Sequence, residues 1–352
     1  MSELDTIRDH LGDGQVIPAH PLALTRDRTL DEVSQRALTR YYMAAGAGGI
    51  AVGVHTTQFD IRLASHGLFE PVLELAARTA DECLVANPRP FVKVAGIVGR
   101  TKQAVREARL AVDLGYNAGL LSLGSWRDDD ESRILTHCRA VSEAIPLFGF
   151  YLQPAVGGRV LSHAFWCRFA EIPPVVAIKI APFNRYQTID VVRAVADVGR
   201  DDVALYTGND DSIVVDLLTR FPCVVDGQLV ERRIVGGLLG HWAMWTRRAV
   251  ELLATIKRAG SETELSSDWL RLGAAITDAN GAIFDVRNDF AGCIPGIHEV
   301  LRRQGLMQGT WCLDPSEVLT DEHRAEIDRV MEAYPAMRDD EFVRERLDEW
   351  RS

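Results

Sequence analysis

The chain has 352 residues, 47% of them hydrophobic and 25% charged, a balance that argues against disorder and supplies a substantial core. Its 39 basic and 50 acidic side chains leave a net charge of -11. No Lys/Arg cluster is dense enough to track a phosphate backbone, so nucleic acid is not expected as a partner. No stretch approaches the roughly 18 apolar residues of a membrane span, and Met1-Ser2-Glu3-Leu4-Asp5 resembles no leader, which predicts a cytoplasmic protein with no membrane partner.

Short apolar runs alternate with longer stretches of helical period, the pattern of βα units on a parallel sheet. Strands are predicted at 16–22, 49–54, 91–97, 118–123, 146–152, 175–180, 203–207 and 233–240. Helices are predicted at 30–45, 101–114, 131–144, 162–171, 188–198 and 212–220. Thr101 suits an N-cap, and Ala45-Gly46 and Leu114-Gly115 read as helix exits. Eight units close naturally into an α/β fold, a (β/α)8 TIM barrel over 13–257 that carries the active site, although an open doubly wound sheet uses the same units. After a helical 245–257, the polar 258–267 reads as a linker. Beyond it 269–284, 297–304 and 322–334 have helical period and no strand signal, which predicts a C-terminal helical extension over 258–352.

Lys179 closes the run Val175-Val176-Ala177-Ile178-Lys179-Ile180, and Tyr151 ends Leu147-Phe148-Gly149-Phe150-Tyr151, 28 residues upstream. That interval suits one strand-helix-strand unit. If both runs are neighbouring parallel strands, an amine and a phenol emerge together at their carboxyl ends, where such folds place their chemistry. Apolar surroundings lower a lysine pKa toward neutrality and give the free amine that attacks a ketone. The plain alternatives are a lysine whose head reaches water and a tyrosine that fills the core.

The turn Gly53-Val54-His55-Thr56-Thr57-Gln58 sets small hydroxyls beside backbone N–H groups and can hold a carboxylate, or it is an ordinary Ser/Thr turn. In Tyr206-Thr207-Gly208-Asn209-Asp210-Asp211 the paired carboxylates suit a helix cap or a catalytic role. The eighth strand ends Gly240-His241-Trp242, where glycine allows a close approach to a ligand. No dinucleotide or Walker pattern occurs, and the nine histidines show no close ligand pair, so no metal is predicted. The six cysteines lack C-x-x-C spacing and are expected as buried free thiols.

At these residues the chain resembles the dihydrodipicolinate synthase and N-acetylneuraminate lyase family of Schiff-base aldolases. Ile178-Lys179 resembles the family's strand-six lysine, Tyr151-Leu152-Gln153-Pro154 its Y-N-x-P segment, and Ala95-Gly96-Ile97-Val98-Gly99 its A-G-V-G turn. Gly208-Asn209-Asp210 is similar to its G-x-D, and Gly53 to Gln58 corresponds to its G-[TS]-T-G-E turn. The resemblance implies a barrel, usually a tetramer built from dimers, so a homo-oligomer of two or four copies is expected. It further implies that Lys179 forms an imine with pyruvate or a related 2-oxo acid, without another cofactor, and that Tyr151 relays protons. His55 and Thr56 would grip the substrate carboxylate, with Thr57, Gly208, Asn209, Gly240 and His241 completing the substrate site.

Three departures mark the chain as divergent. Thr57-Gln58 stands where the family turn reads Gly-Glu, and Val156 where the lysine-pathway synthases carry an arginine. The stretch 226–232 before the last strand is also unlike the short family core. The expected function is a lyase or aldolase performing aldol cleavage, condensation or dehydration; the alternative is a non-catalytic barrel that binds a sugar acid or a 2-oxo acid.

Overall fold

The computed structural model describes residues 2–260, 262 and 264–352; Met1, in the opening segment, and Ser261 and Thr263, in the expected linker, lie outside the described residues. The chain divides into two compact units, one of Val16–Pro90 with Leu239–Ser352, the other of Met1–Gln15 with Phe91–Leu238.

The first unit holds strands β1 (Val16–Pro18) and β2 (Gly49–Val52), which are bridged in parallel at Ala19 and Ala51. Between them runs the helix Glu32–Ala45, capped by Asp31, which accepts a hydrogen bond from the Ser34 N–H, and ended by Gly46 at φ 92°. Left-handed backbone of that kind favours glycine. A helix at Phe69–Ala86 that the sequence reading lacked follows β2. Past the helix Thr246–Ala259, the described residues form helices and connecting turns with no strand, the chief helices being Asp268–Ile283, Cys293–Arg303 and Asp321–Ala333.

The second unit holds β3 (Val92–Ile97), β4 (Ala118–Leu121), β5 (Leu147–Leu152), β6 (Val175–Ala181), β7 (Ala204–Thr207), β8 (Arg220–Val225) and β9 (Gln228–Leu239). β3 to β7 pair in sequence order and β7 pairs with β9, all in parallel. β3, β4 and β7 are buried throughout, so they read as apolar runs without alternation. With β1 and β2, the six parallel strands make this the expected (β/α)8 barrel, with helices alternating between strands and more helices after the last.

Two local expectations are corrected, and one helix is new. The helix predicted at 212–220 is only Ile213–Leu218, because β8 begins at Arg220 and pairs antiparallel with β9. The link is Asp226-Gly227, both at positive φ (50° and 77°), a turn chemistry that marks hairpins. Thr101 is the first residue of its helix rather than its cap, a position that Arg100 holds in extended backbone. A further helix, Glu3–Gly12, begins on a capping box of Ser2 and Asp5.

Candidate active site

Lys179 is the fifth residue of β6 and is half-buried as a whole residue, where every other residue of the strand is buried. Its partners in register are Phe150 on β5 and Tyr206 on β7. Period-two alternation puts these three side chains on one face, and Lys179 Nζ stands 4.7 Å from the centroid of the Phe150 ring. Just past β7, a Cβ on Gly208 would lie 2.5 Å from Lys179 Cε and 2.8 Å from Ala181 Cβ. Gly208 therefore makes room for the lysine stem, a supporting rather than a ligand-contacting role. Burial pushes the amine down to about 8, while the Asp210 carboxylate acts against that shift. Asp210 is itself buried and follows Gly208 by two residues.

Beneath this group a closed polar network fixes the ends of β6 and β7. Asp216, fully buried, accepts from Arg185 Nη1 at 2.6 Å, Thr207 Oγ1 at 2.7 Å and Asn209 Nδ2 at 3.0 Å. Asn209 Nδ2 also donates to Thr188 Oγ1, and its Oδ1 accepts from the Phe183 N–H at 2.9 Å. That bond helps hold Phe183 at φ 52°, a strained region for an aromatic residue. Asn209, expected to touch substrate, has its whole amide engaged in scaffold. The helix after β7 starts at Ser212 with no side-chain cap, so neither Asp210 nor Asp211 takes the expected capping role.

Tyr151 does not stand beside Lys179. Leu147 pairs with Val175, but a register irregularity follows, after which Phe148 pairs with Ala177, Phe150 with Lys179 and Tyr151 with Ile180. A one-residue slip moves a side chain to the opposite face. The Tyr151 ring lies 5.1 Å from that of Trp166 on the helix His163–Ala170, and its hydroxyl accepts from the Leu161 N–H at 3.2 Å. Phe150 occupies the place that the phenol was expected to fill. Burial also pushes the Tyr151 phenol up.

In the first unit, the turn after β2 satisfies itself. Thr57 Oγ1 accepts from the N–H groups of Gly53 (3.0 Å) and Val54 (3.3 Å) and donates to the His20 carbonyl at 2.7 Å. The Thr56 hydroxyl donates to the Ala19 carbonyl at 2.8 Å. A carboxylate needs donors, and the Thr56 hydroxyl, expected to grip it with the backbone amides of His55 and Thr56, already has an acceptor, as does that of Thr57. Gln58, at φ 64°, accepts from the Leu313 N–H at 2.6 Å. His55 is exposed, its ring 6.1 Å from that of Phe59.

At the end of β9, a Cβ on Gly240 would meet Phe284 Cζ at 2.9 Å, so the close approach there is made by Phe284 from the C-terminal helices rather than by a ligand. His241 is buried and pushed down to about 4 by that burial, hence neutral at pH 7; it edges the Trp245 ring at 6.1 Å. Sequence reading missed His20, buried after β1 and also lowered to about 4 by burial, with Nε2 2.9 Å from Thr39 Oγ1. No spacing motif signals such a packed histidine. It also missed the link from Asp210 to Lys179, for which a carboxylate two residues past the β7 glycine was the available sign.

Comparison with known proteins bears on the fold and on the resemblance. The chain is 30% identical over 120 residues to a 4-hydroxy-tetrahydrodipicolinate synthase of Cyanothece sp., a stretch covering 34% of this chain and 39% of that protein. It is 27% identical over 220 residues to the synthase of Thiobacillus denitrificans, covering 62% and 68%. The matched stretch thus spans about two fifths of the first of these relatives. No family model matches the chain. Among solved structures, the fold is shared with dihydrodipicolinate synthase from Acinetobacter baumannii complexed with pyruvate (TM-score 0.71, 21% identity, 91% of this chain and 98% of that one). It is shared also with N-acetylneuraminate lyase from Fusobacterium nucleatum (TM-score 0.69, 16% identity, 92% and 99%). The resemblance read from the sequence therefore holds: the chain is similar to dihydrodipicolinate synthases in sequence and has the fold of that synthase and lyase family.

Proposed function

We propose that the chain is a Schiff-base-forming lyase or aldolase acting on pyruvate or a related 2-oxo acid through an imine on Lys179. The observation that carries this reading is the amine lowered to about 8 in a slot that Gly208 leaves open, beside the buried Asp210. The unprotonated Nζ attacks the C2 carbonyl, water leaves, and the resulting protonated imine withdraws electrons from C3. A carbon-carbon or carbon-oxygen bond beside that carbon can then break or form, with the imine as electron sink and no cofactor needed. Tyr151 faces away, so Asp210 is the group placed to take up and return protons near the nitrogen. The relative from Acinetobacter, solved with pyruvate, supports the choice of a small 2-oxo acid. The family resemblance extends the reading to a homo-oligomer of two or four copies in the cytoplasm.

Borohydride added with pyruvate, and with a panel of other 2-oxo acids, will fix the ligand covalently on Lys179, as peptide mass mapping will show; Lys179→Ala will remain unmodified. A folded wild-type chain that no 2-oxo acid labels overturns the proposal. A second reading, a non-catalytic barrel that binds such acids, is favoured by the outward Tyr151 and by the engaged hydroxyls of Thr56 and Thr57. It requires ligand-induced thermal stabilisation that survives Lys179→Ala, with no product formed.

A further inference from the structure

Away from Lys179, three side chains on two neighbouring helices converge. His163 and Cys167 stand four residues apart on the helix His163–Ala170, so they share one face and point the same way. Asp197 is the last residue of the helix Arg185–Asp197, which packs against it. His163 Nε2 lies 3.0 Å from Asp197 Oδ2 and 3.9 Å from Cys167 Sγ. All three ligand atoms fall within 4.8 Å of one another, and among the described residues this is the one group of three His, Cys, Asp or Glu side chains that does so.

We propose that His163, Cys167 and Asp197 form a zinc site with its fourth position open to solvent. Ideal bonds of about 2.1 Å to nitrogen and oxygen and about 2.3 Å to sulfur put tetrahedral neighbours about 3.4 Å (N to O) and about 3.6 Å (N to S) apart. The observed 3.0 and 3.9 Å lie close to these, but the sulfur is nearer Nδ1 (3.7 Å) than Nε2, so closure on an ion requires the His163 and Cys167 side chains to rotate until the Nε2 lone pair and the sulfur face one point. The donor set decides the metal: thiolate with imidazole and one carboxylate suits zinc and rejects magnesium and calcium, which take oxygen. Partial exposure gives the ion an entry path, since His163 and Asp197 are about one third exposed.

The helix ends supply an independent reason. Asp197 places a negative charge in the final turn of its helix, where the helix dipole is also negative, an arrangement that calls for a cation opposite. On binding, the Cys167 S–H bond breaks, the proton passes to solvent and a zinc-sulfur bond forms, with no change of oxidation state. The site bridges the helix after β5 to the helix after β6, so it pins the outer layer beside the strand that carries Lys179. It is separate from the imine chemistry and does not depend on it.

The test uses the full chain, stripped with a chelator and dialysed, with cobalt(II) and zinc(II) as probes. Cobalt will give one bound ion per chain, with tetrahedral d–d bands and a sulfur-to-cobalt charge-transfer absorption. Zinc will displace it and raise the melting temperature. Cys167→Ser will lose the charge-transfer band, and Cys167→Ser and Asp197→Asn will each weaken zinc at least about tenfold. Circular dichroism checks that both variants are folded, and Cys83→Ser, at a partly exposed thiol elsewhere, serves as the control that must behave as wild type. A wild-type spectrum without the sulfur band, or a band that persists in Cys167→Ser, overturns the site.

Discussion

An amine whose pKa is about 8 is roughly one tenth unprotonated at pH 7, against well under one part in a thousand at its ordinary 10.5. Trapping on Lys179 should therefore accelerate about tenfold per pH unit up to pH 8 and then level off. Because the Asp210 charge opposes the depression, Asp210→Asn should move that inflection to lower pH, read from the pH profile of borohydride labelling. Tyr151 gives the complementary case. Its hydroxyl accepts the Leu161 N–H in a buried place, so Tyr151→Phe leaves a donor unpaired and should cost about 1–3 kcal/mol in chemical denaturation. It should leave the labelling rate of Lys179 unchanged, whereas a phenol that relays protons to the imine would slow it.

At the scale of elements, the register shift between β5 and β6 sets the site, since it turns Phe150 rather than Tyr151 toward the lysine. The hairpin of β8 and β9 is the other departure from a plain repeat of βα units. β8 alternates, with Phe221 and Cys223 buried and the residue between them exposed, and Val224 and Leu229 near the turn are 68% and 70% exposed. Gly227 at φ 77° has open space around it, so an added Cβ meets no neighbour and the cost is that of left-handed backbone alone. Gly227→Ala should destabilise by about 1–2 kcal/mol, measured by thermal melting, with labelling of Lys179 retained.

At the scale of the molecule, the C-terminal helices are bound into the first unit through buried polar groups. Asp339 accepts from Tyr41 Oη at 2.7 Å, Gln304 Nε2 at 2.8 Å and the Arg247 N–H at 3.0 Å, tying the end of the chain to the helices Glu32–Ala45 and Thr246–Ala259. Glu299, its side chain 1% exposed, pairs with Arg302 at 2.7 Å and with Arg303 and Arg324 at 2.9 Å each. Burial alone would raise its carboxyl, but the arginines bring it down to about 2 from an ordinary 4.5. A lowered carboxyl pKa adds stability that is complete above pH 4.5 and is lost as the pH falls toward 2. The loss should be roughly 3 kcal/mol across that interval, and Glu299→Gln should flatten the acid limb of the stability curve.

The sequence by itself determined the succession of strand and helix units, though not whether the sheet closes. Eight apolar runs and the helices between them are local patterns, written by burial with the periods of strand and helix, and each predicted strand overlaps an observed one. It also picked out Lys179, because a charge inside an apolar run stands out whatever its neighbours are. The hairpin was written there too, in Asp226-Gly227, and the missed helix Glu3–Gly12 in its capping box. Only the tertiary structure decided which aromatic faces the lysine. In a strand buried on both sides, Phe150 and Tyr151 are both acceptable on either face, so no alternation fixes the register, and a single irregularity between paired strands chooses. The same holds for Gly208, Gly240 and Asn209. Glycine marks a close approach and asparagine a polar partner, but whether substrate, lysine stem, Phe284 or Asp216 takes that place depends on chain distant in sequence.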